Sequence, residues 1–312
     1  MILCCGEALI DMLPRQTSDN ALAFVPCVGG AAFNTAIALG RQGIPVSLFS
    51  GLSDDFMGDM LRQALDASSV DYSCATRKKL PTTLAFVRLV NGQAQYTFYD
   101  ENSAGRMLLE SDMPALSHDV AAILFGCISL IAEPCGSIYE ALMAREAANR
   151  VMFLDPNIRE VFIKDREKHY SRMMRMIAMA DIVKLSDEDL AWFAEEGDED
   201  HIITRWLTLG PKLVVVTRGA QGADAWTSNF KIHVSGISVP VADTVGAGDT
   251  VNAGILAHFY QEELLDKSQL IALTRDQVRN AVRLGMQAAA ITVSRPGANP
   301  PWEHELQSLK RS

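Results

Sequence analysis

Short, wholly apolar runs that stop at a glycine or a polar residue, each followed by a stretch with helical spacing, constrain this fold most. The first is Ile2-Leu3-Cys4-Cys5-Gly6. A strand with one wet face would alternate apolar with polar residues, whereas continuous burial marks a strand covered on both faces, as in a parallel sheet. After a polar stretch at 15–20, the small residues Gly29-Gly30-Ala31-Ala32 open a helix-like segment that closes at Gly40, a residue suited to a C-cap. Val46-Ser47-Leu48-Phe49 reads as the next strand, and Met60, Leu61, Ala64 and Leu65 recur with helical spacing. The alternation resumes with strands near 121–124, 151–154, 182–184 and 213–217, separated by helical stretches such as 138–149 and 168–179. An α/β fold is therefore predicted. Ligands of open parallel sheets bind at the carboxyl ends of the strands, which places Asp155, Lys184 and Thr217 where a site is expected, with Asp11 just beyond the first run.

The alternation is broken once. Two β-rich runs, 83–90 and 94–99, flank Asn91-Gly92, a strong hairpin signal. A hairpin inside an α/β series predicts a small sheet standing away from the main one, positioned to act as a lid.

Bulk properties exclude several classes. A content of 48% hydrophobic residues over 312 positions suffices for a sizeable core, in one large unit or two smaller ones. No linker or repeat divides the chain. A net charge of −10 argues against nonspecific nucleic-acid or membrane-surface binding, so an anionic ligand must be held by backbone donors and a few placed cations. With no long apolar run and no basic leader, a cytoplasmic protein is expected. The six cysteines form no CxxC pair and read as reduced thiols, and the scattered histidines contain no HExxH.

The segment Asp243-Thr244-Val245-Gly246-Ala247-Gly248-Asp249 precedes a small-residue, apolar helical stretch. Glycines directly before a helix let successive N–H groups converge on an anion, and the helix N-terminus adds partial positive charge. A carboxylate at Asp249 is placed to accept a proton from a hydroxyl attacking a phosphoryl group. The same residues alone also describe a tight turn with an N-cap. Neither the Walker pattern GxxxxGK[ST] nor a GxGxxG after the first strand is present, which disfavours P-loop and dinucleotide folds.

Taken together, the glycine-rich segment at 29–43 and the segment at 243–249 resemble the ribokinase-like (PfkB) family of carbohydrate kinases, and its bacterial fructokinase branch in particular. The resemblance spans essentially the whole chain as one kinase domain, 1–312. It implies a three-layer α/β/α core with a mostly parallel sheet and a small β-sheet lid from about 12–25 and 82–99. It implies that Asp249 is the catalytic base and that Gly246, Ala247 and Gly248 form the anion hole. Asp11, Gly29, Gly30 and Asn34 match positions that hold sugar hydroxyls. Tyr99 to Arg106 resembles a segment carrying a substrate-contacting arginine, and Asp155-Pro156-Asn157-Ile158-Arg159 a second one, with Arg159 near the phosphoryl acceptor.

The resemblance assigns Lys184, Ser186, Thr217, Gly219, Gly222 and Asn252 to the nucleotide. Lys184-Leu185-Ser186-Asp187-Glu188-Asp189 stands where the family has Asn-x-x-Glu and departs from it at Ser186 and Asp189, so Asp189 or Glu188 is the candidate for positioning Mg2+ through water. A loop at 292–298, with Asp243 and the Val245 carbonyl, resembles one that binds a monovalent cation in some relatives, and activation by K+ is a further expectation. The activity implied is phosphorylation by ATP of a sugar hydroxymethyl group, D-fructose first. The alternatives are 2-keto-3-deoxygluconate, ribose or an (aminoimidazole) riboside or nucleoside as acceptor, and, in a different class, a noncatalytic sugar-binding regulator. Self-association as a homodimer through the lid is expected from its β-branched and aromatic content.

Overall fold

The computed structural model describes residues 1–90, 93–193 and 198–309. Among them the main sheet has eight strands. In chain order they are β1 (Ile2–Cys5), β4 (Val46–Phe49), β9 (Ala122–Gly126), β10 (Val151–Asp155), β11 (Ile182–Ser186), β12 (Leu213–Thr217), β13 (Gly222–Trp226) and β14 (Lys231–Ser235). They lie in the order β14-β13-β12-β11-β10-β9-β1-β4. The six from β4 to β12 are parallel, and β13 and β14 add an antiparallel edge.

The continuous apolar runs follow from burial on both faces. Ile2 and Cys4 of β1, Leu124 of β9 and Phe153 of β10 feed one core, beneath the helices Ala31–Arg41, Phe56–Ala67, Ala247–Gln261 and Arg275–Val293. Their chain neighbours Leu3, Cys5, Ile123, Phe125, Met152 and Leu154 feed the other, beneath Cys135–Glu146, Arg166–Met179 and Glu199–Leu209. Side chains alternate across a strand, so an apolar residue at every position is what three layers require. Each fully buried Leu, Ile or Phe contributes roughly 1.5–3 kcal/mol relative to exposure.

A second sheet has four strands: β2 (Leu9–Gln16), β3 (Leu22–Gly29), β7 (Leu84–Val90) and β8 (Gln93–Tyr99), ordered β3-β2-β7-β8. The predicted hairpin is present, with β7 and β8 antiparallel up to Val90 opposite Gln93. Its turn, Asn91-Gly92, lies outside the described residues. The small sheet reaches further back than 12–25: β2 starts at Leu9 and β3 runs to Gly29. Asp11 is therefore not a residue beyond a core strand but a member of β2, paired with Cys27 and Ala85. A third, two-stranded sheet joins β5 (Gly51–Ser53) to β6 (Thr76–Lys78).

Gly40, read as the end of a helix, lies inside Ala31–Arg41, where the Ser68 carbonyl packs against its Cα and leaves no room for a side chain. The left-handed turn falls at Gly43, φ 75°.

Candidate active site

Helix Ala247–Gln261 starts at Gly246, whose φ of 76° and ψ of 2° are left-handed. A Cβ there would come within 2.8 Å of the Ala298 Cβ, so glycine is required twice over. No side chain caps this end. The first intrahelical bond runs from Thr250 N to the Gly246 carbonyl at 2.9 Å, reinforced by the Thr250 hydroxyl at 2.7 Å. Of the amides in the first turn, that of Ala247 makes a long bond to the Thr244 carbonyl, 3.3 Å. An uncapped helix N-terminus carrying glycine is an anion cradle. The turn is tied down from behind by Asp243, whose two carboxylate oxygens accept from Val245 N and Gly297 N, both at 3.0 Å.

Asp249 lies in the first turn, 7% exposed. Its Oδ2 accepts from Asn34 Nδ2 at 2.9 Å, and its carbonyl accepts from the Thr35 hydroxyl at 3.3 Å. Asn34 and Thr35 lie on helix Ala31–Arg41, so a contact between residues 215 apart in sequence joins the two glycine-rich segments. Burial pushes the Asp249 carboxyl up to about 7; the Asn34 hydrogen bond and the Lys184 charge oppose that, while Asp155 and Glu7 add to it. A carboxylate poised near neutrality is matched to general-base work.

Beside it is a buried cluster. Asp155 Oδ2 accepts from Lys184 Nζ at 3.0 Å and from Asn252 Nδ2 at 2.7 Å. All three residues are at most 4% exposed. Asp155 Oδ1 and Asn252 Oδ1 are buried with no hydrogen-bond partner. Lys184 Nζ lies 3.0 Å from where a Cβ on Gly248 would be, directly against the anion turn.

The positions expected to hold sugar converge on the same place. Gly30 precedes the helix at φ 108°, where a Cβ would meet the Glu7 carbonyl oxygen at 2.5 Å. A Cβ on Gly29 would run into Asp11 Oδ2. Burial, and then the Glu7 charge, raise the Asp11 carboxyl to about 6. Tyr96, on β8, feels the charges of Asp11, Arg159 and Asp243, so the small sheet extends over the site. Arg159 is exposed, within the field of Asp189, Asp249 and Asp155, and its Nη1 donates to the Ile158 carbonyl at 3.0 Å. Arg106 is placed differently. It is held by the Glu133 carbonyl at 2.9 Å and by Asp100 at 3.1 Å, on the wall of a cavity that Glu7, Thr83, Phe98 and Phe162 also line.

Glu7 is the residue that sequence reasoning missed. Its Oε1 accepts from Ala31 N at 2.8 Å and its Oε2 from Ser129 N at 3.3 Å, so it caps the Asn34 helix in place of an N-cap side chain. The available signal was a carboxylate directly after the glycine that ends the first strand.

Ser186 and Asp189 form a reciprocal capping box on helix Asp187–Trp192, and the second Asp189 oxygen accepts from Ile158 N at 2.7 Å. Each carboxylate oxygen thus accepts one backbone amide, and Asp189 fixes the backbone next to Arg159. Glu188 is exposed. No group of three or more His, Cys, Asp or Glu among the described residues is disposed to hold a metal ion. Thr217 pairs with Ser186 at the carboxyl end of the sheet. The glycines after it differ. Gly222 is packed against the Val234 carbonyl, whereas Gly219, φ 53°, has open space where a Cβ would be and leaves room for a ligand.

Comparison with known proteins gives the family and the fold. A family model described as pfkB family carbohydrate kinase matches residues 1–305. A fructokinase of Rhizobium leguminosarum bv. trifolii is 56% identical over 280 residues, covering 90% of this chain and 86% of that protein. Fructokinase-1 of Oryza sativa subsp. japonica is 32% identical, covering 99% of this chain and 97% of its own. The crystal structure of fructokinase with bound ATP from Xylella fastidiosa matches with a TM-score of 0.92 at 29% identity, covering 99% of this chain and 98% of that one. The fructokinase of Vibrio cholerae O395 in fructose, ADP and calcium ion bound form matches with a TM-score of 0.86 at 25% identity, covering 98% and 97%.

Proposed function

The chain belongs to the pfkB family of carbohydrate kinases, and from that premise we propose that it transfers the γ-phosphate of ATP to a hydroxymethyl group of D-fructose, giving fructose 6-phosphate. The observation that carries this reading is the buried Asp249, raised to about 7, in the first turn of an uncapped helix. Asp249 accepts the proton of the attacking hydroxyl. The oxygen–phosphorus bond forms as the bond from the γ-phosphorus to the bridging oxygen breaks, and that electron pair leaves with ADP. Amides of the 246–248 turn stabilise charge on the transferring group, and positioning by Asp11, Gly29, Gly30 and Asn34 supplies the near-attack geometry. Arg159, exposed above the carboxylates, is the arginine assigned to the acceptor, and Arg106 shapes the cavity wall. Lys184, Ser186, Thr217, the open Gly219, Gly222 and Asn252 are assigned to the nucleotide side.

Each Asp189 oxygen accepts one backbone amide and keeps acceptor capacity, so Asp189, or the exposed Glu188, is assigned to the water shell of the ion rather than to direct ligation. Mg2+ is therefore assigned to the ATP phosphates and their waters, and supplies charge neutralisation there. K+ is assigned to the Asp243 turn with the Val245 carbonyl; in support, a double mutant of the Vibrio cholerae O395 fructokinase is known in fructose, ADP and potassium ion bound form. Exposed Leu22, Phe24, Val25 and Tyr99 on the small sheet support self-association through that face.

A coupled assay of ADP release with fructose, 2-keto-3-deoxygluconate, ribose and nucleosides tests the assignment. Fructose should give the highest kcat/KM, and Asp249→Asn should lower kcat by about 10²–10⁴-fold with little change in ATP affinity. Turnover near normal in that variant refutes the role of Asp249, a different preferred acceptor refutes fructose, and no turnover with any sugar refutes the kinase reading.

A further inference from the structure

We propose that Glu7 is a positioning residue for the reaction, a clamp that registers Asn34 against Asp249 by holding the start of one helix and the turn at the end of β9. This rests on the kinase reading above. Helix Ala31–Arg41 has no side-chain cap at Gly30, where a Cβ would meet the Glu7 carbonyl oxygen at 2.5 Å. Glu7 supplies the cap from the end of another element. Its Oε1 accepts from Ala31 N at 2.8 Å and its own carbonyl accepts from Phe33 N at 3.4 Å, so side chain and backbone together hold the turn that carries Asn34. Its Oε2 accepts from Ser129 N at 3.3 Å, in the turn Cys127–Leu130 that follows β9.

Packing enforces the same three-way join. A Cβ on Gly6 would lie 2.8 Å from the Ala32 Cβ and 3.0 Å from Ser129 Oγ, so helix and turn close on the backbone directly before Glu7. The Tyr139 hydroxyl donates to the Gly6 carbonyl at 3.1 Å, and the Ser129 hydroxyl to the Gly126 carbonyl at 2.7 Å. Glu7 itself is 8% exposed, on the wall of the cavity that Arg106 also lines. Both oxygens of a carboxylate accept, whereas glutamine would turn an NH2 toward one of the two amides and aspartate is one methylene short. Capping alone does not call for such a residue. The Glu7 charge raises the carboxyls of Asp11 and Asp249, a penalty that a neutral cap avoids. The penalty has a counterpart in what is held: Gly30 and Asn34, assigned to the sugar, and the hydrogen bond from Asn34 to Asp249 at 2.9 Å.

Glu7→Asp keeps the charge and loses the reach, which separates the clamp from the field at Asp249. The other titratable groups facing Asp249 are Asp155 on β10, Lys184 on β11, Cys127 after β9 and Arg159 after β10, and all are retained in this variant. With the clamp slackened Asn34 donates less well, so the acidic limb of kcat/KM should move to higher pH by about half a unit or more. KM for the sugar should rise about three- to tenfold, with KM for ATP within about twofold of the parent. In an Asn34→Ala background Glu7→Asp should move the limb no further, because the bond it registers is gone. A merely structural cap would lower kcat in step with the folded fraction, read by thermal melting, and leave the limb in place. A folded Glu7→Asp whose limb is unmoved, or moves equally with and without Asn34, overturns the inference alone. A parent protein inactive on every sugar overturns the kinase reading with it. Should Glu7→Asp fail to fold, Glu7→Gln decides by the same cycle: a limb displacement that depends on Asn34 supports the clamp, and one that is independent of it overturns the proposal.

Discussion

Replacing Asn34 with alanine should shift the pH dependence of catalysis without removing any group that changes covalently. Asn34 Nδ2 donates to Asp249 Oδ2 at 2.9 Å in a site where both residues are buried. A hydrogen bond to a charged acceptor contributes about 1.5–3 kcal/mol, and it favours the ionised carboxylate. A difference of about 1.4 kcal/mol between protonation states is one pKa unit. Loss of the bond should raise Asp249 from about 7 to about 8 or above. At pH 7 the ionised fraction would fall from about one half to about one in ten, a loss of about fivefold in kcat/KM beyond any pH-independent effect on sugar affinity. That loss should be recovered by about pH 9. The measurement is kcat/KM for the preferred sugar across the pH range, each variant normalised to its alkaline plateau. Asn34→Asp, which adds a like charge, should move the limb further in the same direction. A limb that stays put or moves to lower pH would refute the reasoning.

The burial that tunes Asp249 also destabilises the fold. Its carboxyl is raised, so the native state binds the proton more tightly than the unfolded chain, and stability attributable to this group falls as pH rises from about 4 toward 7. Asp249→Asn should therefore melt higher than the parent at pH 8, by an amount on the order of 4 kcal/mol at most, with the gap closing as pH falls toward 4 in thermal scans. Gly29→Ala would drive a methyl group into Asp11 Oδ2, and should raise KM for the sugar about tenfold with KM for ATP unchanged in steady-state kinetics. Asp243→Ala releases both Val245 N and Gly297 N, and should abolish any difference in rate between K+ and Na+ buffers. Leu124→Ala, in a core position 2% exposed, should lower unfolding stability by about 2–5 kcal/mol in urea titration while leaving sugar preference unchanged.

The parts of this molecule that were legible in its sequence are those in which one physical requirement acts on neighbouring residues. Two-sided burial writes a continuous apolar run, so the parallel strands from β1 to β12 could be placed closely, and the hairpin from β7 to β8 followed from two β-rich runs and the turn residues between them. The glycines of the anion turn were legible for the same reason, since Gly246 must be left-handed whatever surrounds it. The antiparallel strands β13 and β14 were not read: β14 alternates exposed and buried residues from Lys231 to Ser235 but over only five positions, and β13, Gly-Ala-Asp-Ala-Trp, is poor in strand-forming residues.

Within the site, the boundary between legible and illegible follows sequence separation. The turn before Asp249 was legible as an anion cradle with a possible base, but the Asn34 bond that tunes Asp249 crosses 215 residues, and the Asp155, Lys184 and Asn252 cluster comes from three separate elements. Asp189 is the instructive case. Read by its place in a motif it was a candidate for positioning metal, yet its shorter side chain closes a capping box and holds Ile158 N, fixing the backbone beside Arg159. Shortening glutamate to aspartate by one methylene thus changes what the carboxylate can reach without emptying the position. Lys184 Nζ, 3.0 Å from the place of a Gly248 Cβ, comes to the anion turn in the same way, from a strand more than 60 residues before it in the chain.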